Sequence, residues 1–440
     1  MNRLLLITGV LLLMAGFHLA YVVWLVPLYG YLGFRYPGSI GVLTVFGYCL
    51  GVLPALWMPV ALSRPSQFLH WVIYLTTYLP SMLVLSFLQL QPDSEVFLLQ
   101  VMLFIGLTII GLSYRFTLLR LPKVLMPKAF FWSLIIIVTL ALLMRVVLVY
   151  WGQFQFVSWK EAYDIRFTGS DIATAAGLAY PINWLSFVFL PLLMSIALLQ
   201  KRPWLLLFAA ACSILLFATQ GMKHILFSSP YILLMYLLLR RSGNIFGLRI
   251  VWVMALFLIG FASYVVLFNA GQSSLAMFSG ANIVLRIFGN NGLLMGSYQA
   301  FFSNHPLTHY SSVTGVNLFI HYPYENPIGV EISLAAGGPL EWNQNAGFWA
   351  TDGLSAMGLP GIVLISLLMA LVFYVLDCVS SRHKAYIVAL CLSQYVLILI
   401  NVSFFTSLIT GGLAFFFVIF YLMPEIVQNA WVPLRRSTVY

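Results

Sequence analysis

Residues Ala129 to Tyr150 read AFFWSLIIIVTLALLMRVVLVY, a run of 22 with one charge, Arg145. About 20 consecutive apolar residues make a helix long enough to cross a bilayer. Lipid offers no partner to backbone N–H and C=O groups, so such a run reads as a helix that satisfies them internally. A strand of a membrane barrel would alternate over about ten residues, whereas this run is continuous.

Eleven more runs of this kind flank it. They extend from Leu4 to Leu28, Ile40 to Leu62, Leu69 to Leu90, Val96 to Leu112, Ile182 to Leu199 and Trp204 to Gln220. The others extend from Met222 to Leu239, Ile250 to Phe268, Gly358 to Val375, Ala385 to Asn401 and Leu408 to Met423. The composition agrees: 62% of the 440 residues are hydrophobic and 7% charged, against about 25% charged in a soluble domain. So little charge cannot cover a water-facing surface, which excludes a soluble enzyme, a disordered chain and a disulfide scaffold. The expected fold is all-α, a polytopic membrane protein of about 12 transmembrane helices. The first run is too long for a signal peptide, and no small-residue cleavage site follows it before Arg35, so it is expected to be retained.

Lys and Arg set the orientation. With the N-terminus inside, the inner side holds Arg3, Arg64, Arg115, Arg120, Lys123, Lys128, Lys201, Arg202, Arg240, Arg241, Arg249, Arg382, Lys384, Arg435 and Arg436. That leaves six of the 21 basic residues elsewhere. Of the acidic residues only Asp377 and Glu425 fall inside. Most of the net charge of +10 is therefore a topology signal, and no nucleic-acid partner is expected. Cys49, Cys212, Cys378 and Cys391 show no metal spacing and read as small apolar filler.

Connections are short except at two expected outer loops, 151–181 and 269–357. Both carry Trp, Tyr, Phe and Leu, and long ordered loops are commonly functional. Leu285, Phe288, Leu293, Leu294, Tyr298 and Phe302 recur near helical spacing, so one or two helices lying on the membrane surface are expected in the second. No linker or repeat divides the chain, which reads as one domain, 1–440.

Three constellations carry candidate chemistry. Arg145, Arg166, Lys223 and Arg286 are expected on the outer side, where cations are scarce, and an ionisable residue at membrane depth is costly. If they converge they suit a phosphate or diphosphate, whose oxygens the guanidinium fork matches. The alternative is snorkelling or local pairing, as between Lys160 and Glu161 or Asp164 and Arg166. The second constellation is the polar, glycine-rich run from Asn343 and Asn345 through Asp352 and Gly353 to Gly358 and Gly361. Here Asp352 either accepts a proton from a sugar hydroxyl or caps the amides that follow it. The third is His305, His309 and His321. His305 and His309 have the i, i+4 spacing of a metal pair, but Pro306 lies between them, and a surface or hydrogen-bonding role is expected, with no metal. The sequence holds no Walker A motif, Asp-x-Asp or Gly-x-Ser-x-Gly. An enzyme at the outer face without nucleotide must then use a substrate that is already activated.

Glu161 to Arg166 with Tyr180-Pro181, the Gly221-to-Lys223 turn, and above all Asn343 to Gly361 continuing through Leu367 to Asp377 resemble the bacterial O-antigen (Wzy-type) repeat-unit polymerases. The resemblance covers Trp159 to Asp377. It implies a GT-C-like membrane glycosyltransferase that joins undecaprenyl-diphosphate-linked oligosaccharides at the periplasmic face of the inner membrane, without cofactor, a chain-length regulator protein being a possible partner. On that reading Arg166, Lys223 and Arg286 hold the diphosphate around one cavity, and Asp352, or else Glu341 or Glu325, takes the acceptor's proton. Arg145, Tyr163, Tyr298, Asn343, Asn345 and His305 contact substrate, and Trp159, Trp342 and Trp349 join the tyrosines in stacking on sugars. The competing readings are a flippase or transporter of a lipid-linked sugar, and an O-antigen ligase.

Overall fold

The computed structural model describes residues 2–122, 124, 126–154, 162–240, 243–313, 315–340, 342–345 and 347–426, with the backbone alone at 162–165, 167 and 168. All regular structure among the described residues is helical. Nine helical stretches among them are long and apolar enough to cross a membrane: Asn2–Leu32, Pro65–Leu88, Asp93–Tyr114, Lys128–Val149, Ala179–Gln200, Pro203–Gln220, Phe246–Leu267, Trp349–Ser380 and Phe404–Leu422. The chain is a multi-pass membrane protein.

Three of the twelve expected spans are shorter pieces. The run from Ile40 becomes Val42–Leu56, tightened in its last turn at Pro54. The run from Met222 is divided into Lys223–Leu226 and Ser228–Arg240. The run from Ala385 is divided into Ala385–Cys391 and Tyr395–Leu399 by a turn holding Ser393 and Gln394. The polar groups there tie neighbouring helices: the Ser393 carbonyl accepts from the Tyr231 hydroxyl at 2.9 Å, and Gln394 donates to the His224 carbonyl at 3.3 Å.

The described chain forms two compact units whose segments alternate along the sequence. Unit 1 is Met1–Leu119, Arg241–Cys378 and Val396–Ile409, and unit 2 is Arg120–Arg240, Val379–Tyr395 and Thr410–Tyr440. In unit 1, Asn2–Leu32 lies along Phe246–Leu267. Gly9 and Gly16 let the two helices close up, since a Cβ on either would meet Val251 or Ile259 at 2.9 Å. Small residues at such a crossing gain van der Waals contact that lipid tails do not provide.

The helical region of the second long loop corrects the expectation of a surface helix. Residues 274–302 form one continuous helical run, Ser274–Ser279, Gly280–Gly289 and Asn290–Phe302, packed among the other helices of unit 1. Gly280 lies against the Trp24 indole and Gly292 against Val84, each too close for a Cβ. Phe288 contacts Phe17, and fully buried Asn291 donates to the Thr77 hydroxyl at 3.3 Å. The apolar spacing that suggested a membrane-surface face is a core face, and glycines on it mark where other helices press in.

Pro65–Leu88 is buried along its length, and its N-terminus is clamped by Asp377 from 311 residues away. Asp377 Oδ1 accepts from the Ser66 amide at 2.9 Å and Oδ2 from the Ser66 hydroxyl at 2.6 Å. The first amides of a helix lack internal partners, and a carboxylate there also meets the favourable end of the helix dipole. Hydrogen bonds to a charged group contribute about 1.5–3 kcal/mol each. Asp377→Ala is therefore expected to cost about 3 kcal/mol or more, seen as an earlier thermal unfolding midpoint in detergent. A midpoint equal to the wild type's contradicts the clamp.

The loop from Tyr114 to Lys128, with Arg115, Arg120, Lys123 and Lys128, is expected in the cytoplasm; Ser113 at its edge is buried, whereas Phe116 within it is 60% exposed. A cysteine at Phe116 should be labelled by a membrane-impermeant reagent only after the membrane is opened. Labelling in intact cells contradicts the expected orientation.

Candidate functional site

Asp352 is held where three segments of unit 1 converge. The helix over Trp349–Ser380 is discontinuous: Met357 and Gly358 leave helical geometry, Gly358 with φ +65. The piece before the break then crosses the piece after it so closely that a Cβ on Gly353 would lie 2.4 Å from the Gly361 carbonyl oxygen. Breaking a helix strands its last carbonyls. Two of these are taken by the loop at Thr308: the Thr308 amide donates to the Ser355 carbonyl at 2.8 Å, and the His309 amide to the Ala356 carbonyl at 3.0 Å.

That docking holds two successive non-glycine residues in the left-handed region, His309 at φ +47 and Tyr310 at φ +61. Such backbone costs about 1–2 kcal/mol per residue and persists where its surroundings over-determine it. The Tyr310 ring packs edge-on against Phe405 at 5.7 Å. Its hydroxyl is buried and makes no hydrogen bond among the described residues. Burial, and after it the charge of Asp352, pushes the Tyr310 phenol above its ordinary pKa of 10.0, so it remains a proton donor at neutral pH.

The third segment is Ser403 with the start of Phe404–Ile409. Asp352 is half-buried, and its Oδ2 accepts from the Phe404 amide at 2.6 Å and from the Ser403 hydroxyl at 3.0 Å. Asp352 is thus a cap, but of a helix that begins 52 residues later rather than of the amides that follow it. The Thr351 hydroxyl serves its own first turn, accepting from the Phe348 amide at 2.9 Å. Both of these bonds fall on Oδ2. Ser403 and Tyr310 were not among the residues singled out from sequence. Ser403 lies in the short connection between the last two expected spans, on the same expected side as both long loops. That shared side is the one signal pointing to it.

The other expected contacts of unit 1 differ in burial and in partners. Tyr298 is buried beside Phe302, within electrostatic reach of Asp352. Trp349, expected to stack on sugar, is 2% exposed and donates through Nε1 to the Ser366 hydroxyl at 2.9 Å, a packing role. Asn343 and Asn345 are exposed, and their segment packs on Gly329 through the Gln344 amide, which donates to the Gly329 carbonyl at 2.9 Å. His305 stacks on Phe301 with centroids 4.0 Å apart, and its Nδ1 is 2.8 Å from the Phe301 carbonyl oxygen. Arg286, Glu325 and Trp342 are exposed. Among the described residues no three His, Cys, Asp or Glu side chains are grouped to hold a metal.

Unit 2 carries the other cations. Ala162–Ala175 lies across the end of Pro203–Gln220, where Gly169 meets the Thr219 carbonyl. Tyr150 fastens the junction: its hydroxyl donates to the Gly169 carbonyl at 2.5 Å and accepts from Gln220 at 2.8 Å. Arg166, one turn before Gly169, is exposed and close enough to His224 to act on it electrostatically. His224 stacks on Phe187 at 4.7 Å and follows half-exposed Lys223. Arg166 and the Gly221-to-Lys223 turn, far apart in sequence, are therefore neighbours in the fold. Arg145 instead donates to the Ala176 carbonyl at 3.1 Å, tying down the end of the Arg166 helix. Trp159, Lys160, Glu161 and Glu341, and the side chains of Tyr163 and Asp164, lie outside the described residues.

No family model matches the chain, and neither a curated protein nor a solved structure is significantly similar to it.

Proposed function

We propose that the chain is a membrane glycosyltransferase of the repeat-unit polymerase kind, with about twelve spans and a GT-C-like fold. It acts at the periplasmic face of the bacterial inner membrane, extending O-antigen, capsule or a related polysaccharide from undecaprenyl-diphosphate-linked oligosaccharides. The observation that carries this reading is the Asp352 carboxylate, fixed through Oδ2 by Ser403 and Phe404 and within electrostatic reach of the Tyr310 hydroxyl, which has no hydrogen-bond partner among the described residues. Polymerisation sets two tasks, removal of a proton from an acceptor hydroxyl and neutralisation of a departing diphosphate. On the resemblance, Asp352 serves the first, and Arg166 with Lys223 the second. The acceptor oxygen forms a bond to the donor's anomeric carbon and yields its proton to Asp352. The anomeric bond to diphosphate breaks, and lipid diphosphate leaves with the bonding electron pair. Preorganised cations stabilise charge that develops at the leaving oxygen.

The broken helix at Met357 and Gly358 also favours a second reading, a transporter of a lipid-linked sugar, because discontinuous helices build the binding sites of many transporters. Deleting the protein and resolving surface polysaccharide by gel separates the two. A polymerase deletion leaves single repeat units at the surface. A transporter deletion leaves none there and strands lipid-linked units inside, which contradicts the proposal.

Ser403→Ala removes one of the two bonds that orient Asp352. Loss of a bond to a charged group corresponds to about tenfold or more in rate. Polymer should shorten while the amount of inserted protein is unchanged, and wild-type chain lengths contradict the orienting role.

A further inference from the structure

A cavity of unit 2 lies away from the Arg166 neighbourhood, at the end where Lys128–Val149 begins. It has a volume of about 620 Å³ and is lined by Lys128, Trp132, Lys201, Arg202 and Glu425, with apolar Leu199 and Ile426 among the rest. Among the described residues the lining thus holds three cations and one carboxylate. They come from two segments far apart in sequence, Lys128 opening one helix and Lys201 and Arg202 following the end of Leu190–Gln200. Glu425 also interacts electrostatically with His383, so its charge is shared with a neighbour.

The helix that rises from this cavity is the least buried of the nine candidate spans, with Leu134, Ile137, Met144 and Leu148 exposed along it. A ligand with an anionic head and apolar tails would meet both features at once. All three cations belong to the side that the basic-residue distribution assigns to the cytoplasm, where anionic lipids concentrate and basic pockets between helices take their head groups.

We propose that this cavity binds the phosphate head group of an anionic membrane phospholipid, whose acyl chains lie along Lys128–Val149. The site is independent of the proposed transferase chemistry. The chemistry that recognises a lipid phosphate also recognises free phosphate, and the two sources are separable by experiment.

The full-length protein would be purified from nanodiscs containing equal phosphatidylglycerol and phosphatidylcholine, and its retained lipid read by native mass spectrometry. The test variant is Lys201→Gly with Arg202→Gln. Lys201 sits at φ +55, so glycine removes the charge without straining the backbone. Wild-type protein should retain phosphatidylglycerol selectively, and the double variant should bind it about 30-fold more weakly, from two charges near the membrane surface. Arg240→Gln, a cation of the same unit outside the cavity lining, should behave as wild type and controls for folding. Millimolar inorganic phosphate should leave the lipid in place, and displacement by it makes soluble phosphate the occupant and overturns the lipid assignment. Equal retention of the two lipids, or equal retention by the double variant, overturns the site.

Discussion

Asp352→Asn is expected to leave cells decorated with single repeat units and to slow chain extension by about 10²–10⁴-fold, the range over which a positioned general base contributes. Asparagine keeps the shape of aspartate. Its side-chain oxygen can still accept from the Phe404 amide and the Ser403 hydroxyl, the two bonds that fix Asp352. The cap therefore survives in weakened form while the proton acceptor is lost. If Asp352 serves only as a cap, chain lengths stay normal and the variant is at most less stable. Gel analysis of surface polysaccharide beside a measurement of inserted protein separates these outcomes.

The second large effect is expected at Arg166. Removing one preorganised donor from a developing negative charge costs about 10²–10³-fold in rate, so Arg166→Ala should abolish visible polymer with the protein still inserted. Arg166→Lys should recover only part of it, because an ammonium keeps the charge but loses the planar fork that binds two phosphate oxygens at once. Full recovery by lysine would reduce Arg166 to a source of charge. Normal polymer from the alanine variant would remove it from the diphosphate role.

The membrane class was legible because it is a property of single runs: Lys128–Val149 and Phe246–Leu267 are predominantly apolar and emerge as whole helices. What pattern reading misplaced depends on partners. Residues 274–302 show the same periodicity whether a helix rests on lipid or packs against Trp24 and Val84. The glycines at 280 and 292, where no Cβ fits, distinguish the two cases. The runs from Met222 and from Ala385 look continuous in hydropathy, yet a turn at Ser393 and Gln394 interrupts the second, where the Ser393 carbonyl and the Gln394 side chain tie it to Tyr231 and His224.

The candidate site was half legible for the same reason. Asp352 stood out as a carboxylate at the mouth of an apolar run, but its partner Ser403 lies 51 residues away. Tyr310 owes its position to carbonyls stranded by a break at Met357 and Gly358. The glycines at 353, 358 and 361 mark a place where backbones approach, without naming the loop that docks there. Arg145 was drawn in with the other cations on charge alone, and the carbonyl of Ala176 gives it a structural task instead.

The central claim is that this chain joins lipid-linked repeat units, and reconstitution tests it most directly. Purified protein in vesicles would be given undecaprenyl-diphosphate-linked repeat units, with product length and released undecaprenyl diphosphate followed together. Dimers and longer chains should appear, with one lipid diphosphate released for each new linkage, and both signals should vanish with Asp352→Asn. Movement of intact repeat units across the bilayer, with no linkage formed and no lipid diphosphate released, would contradict the account.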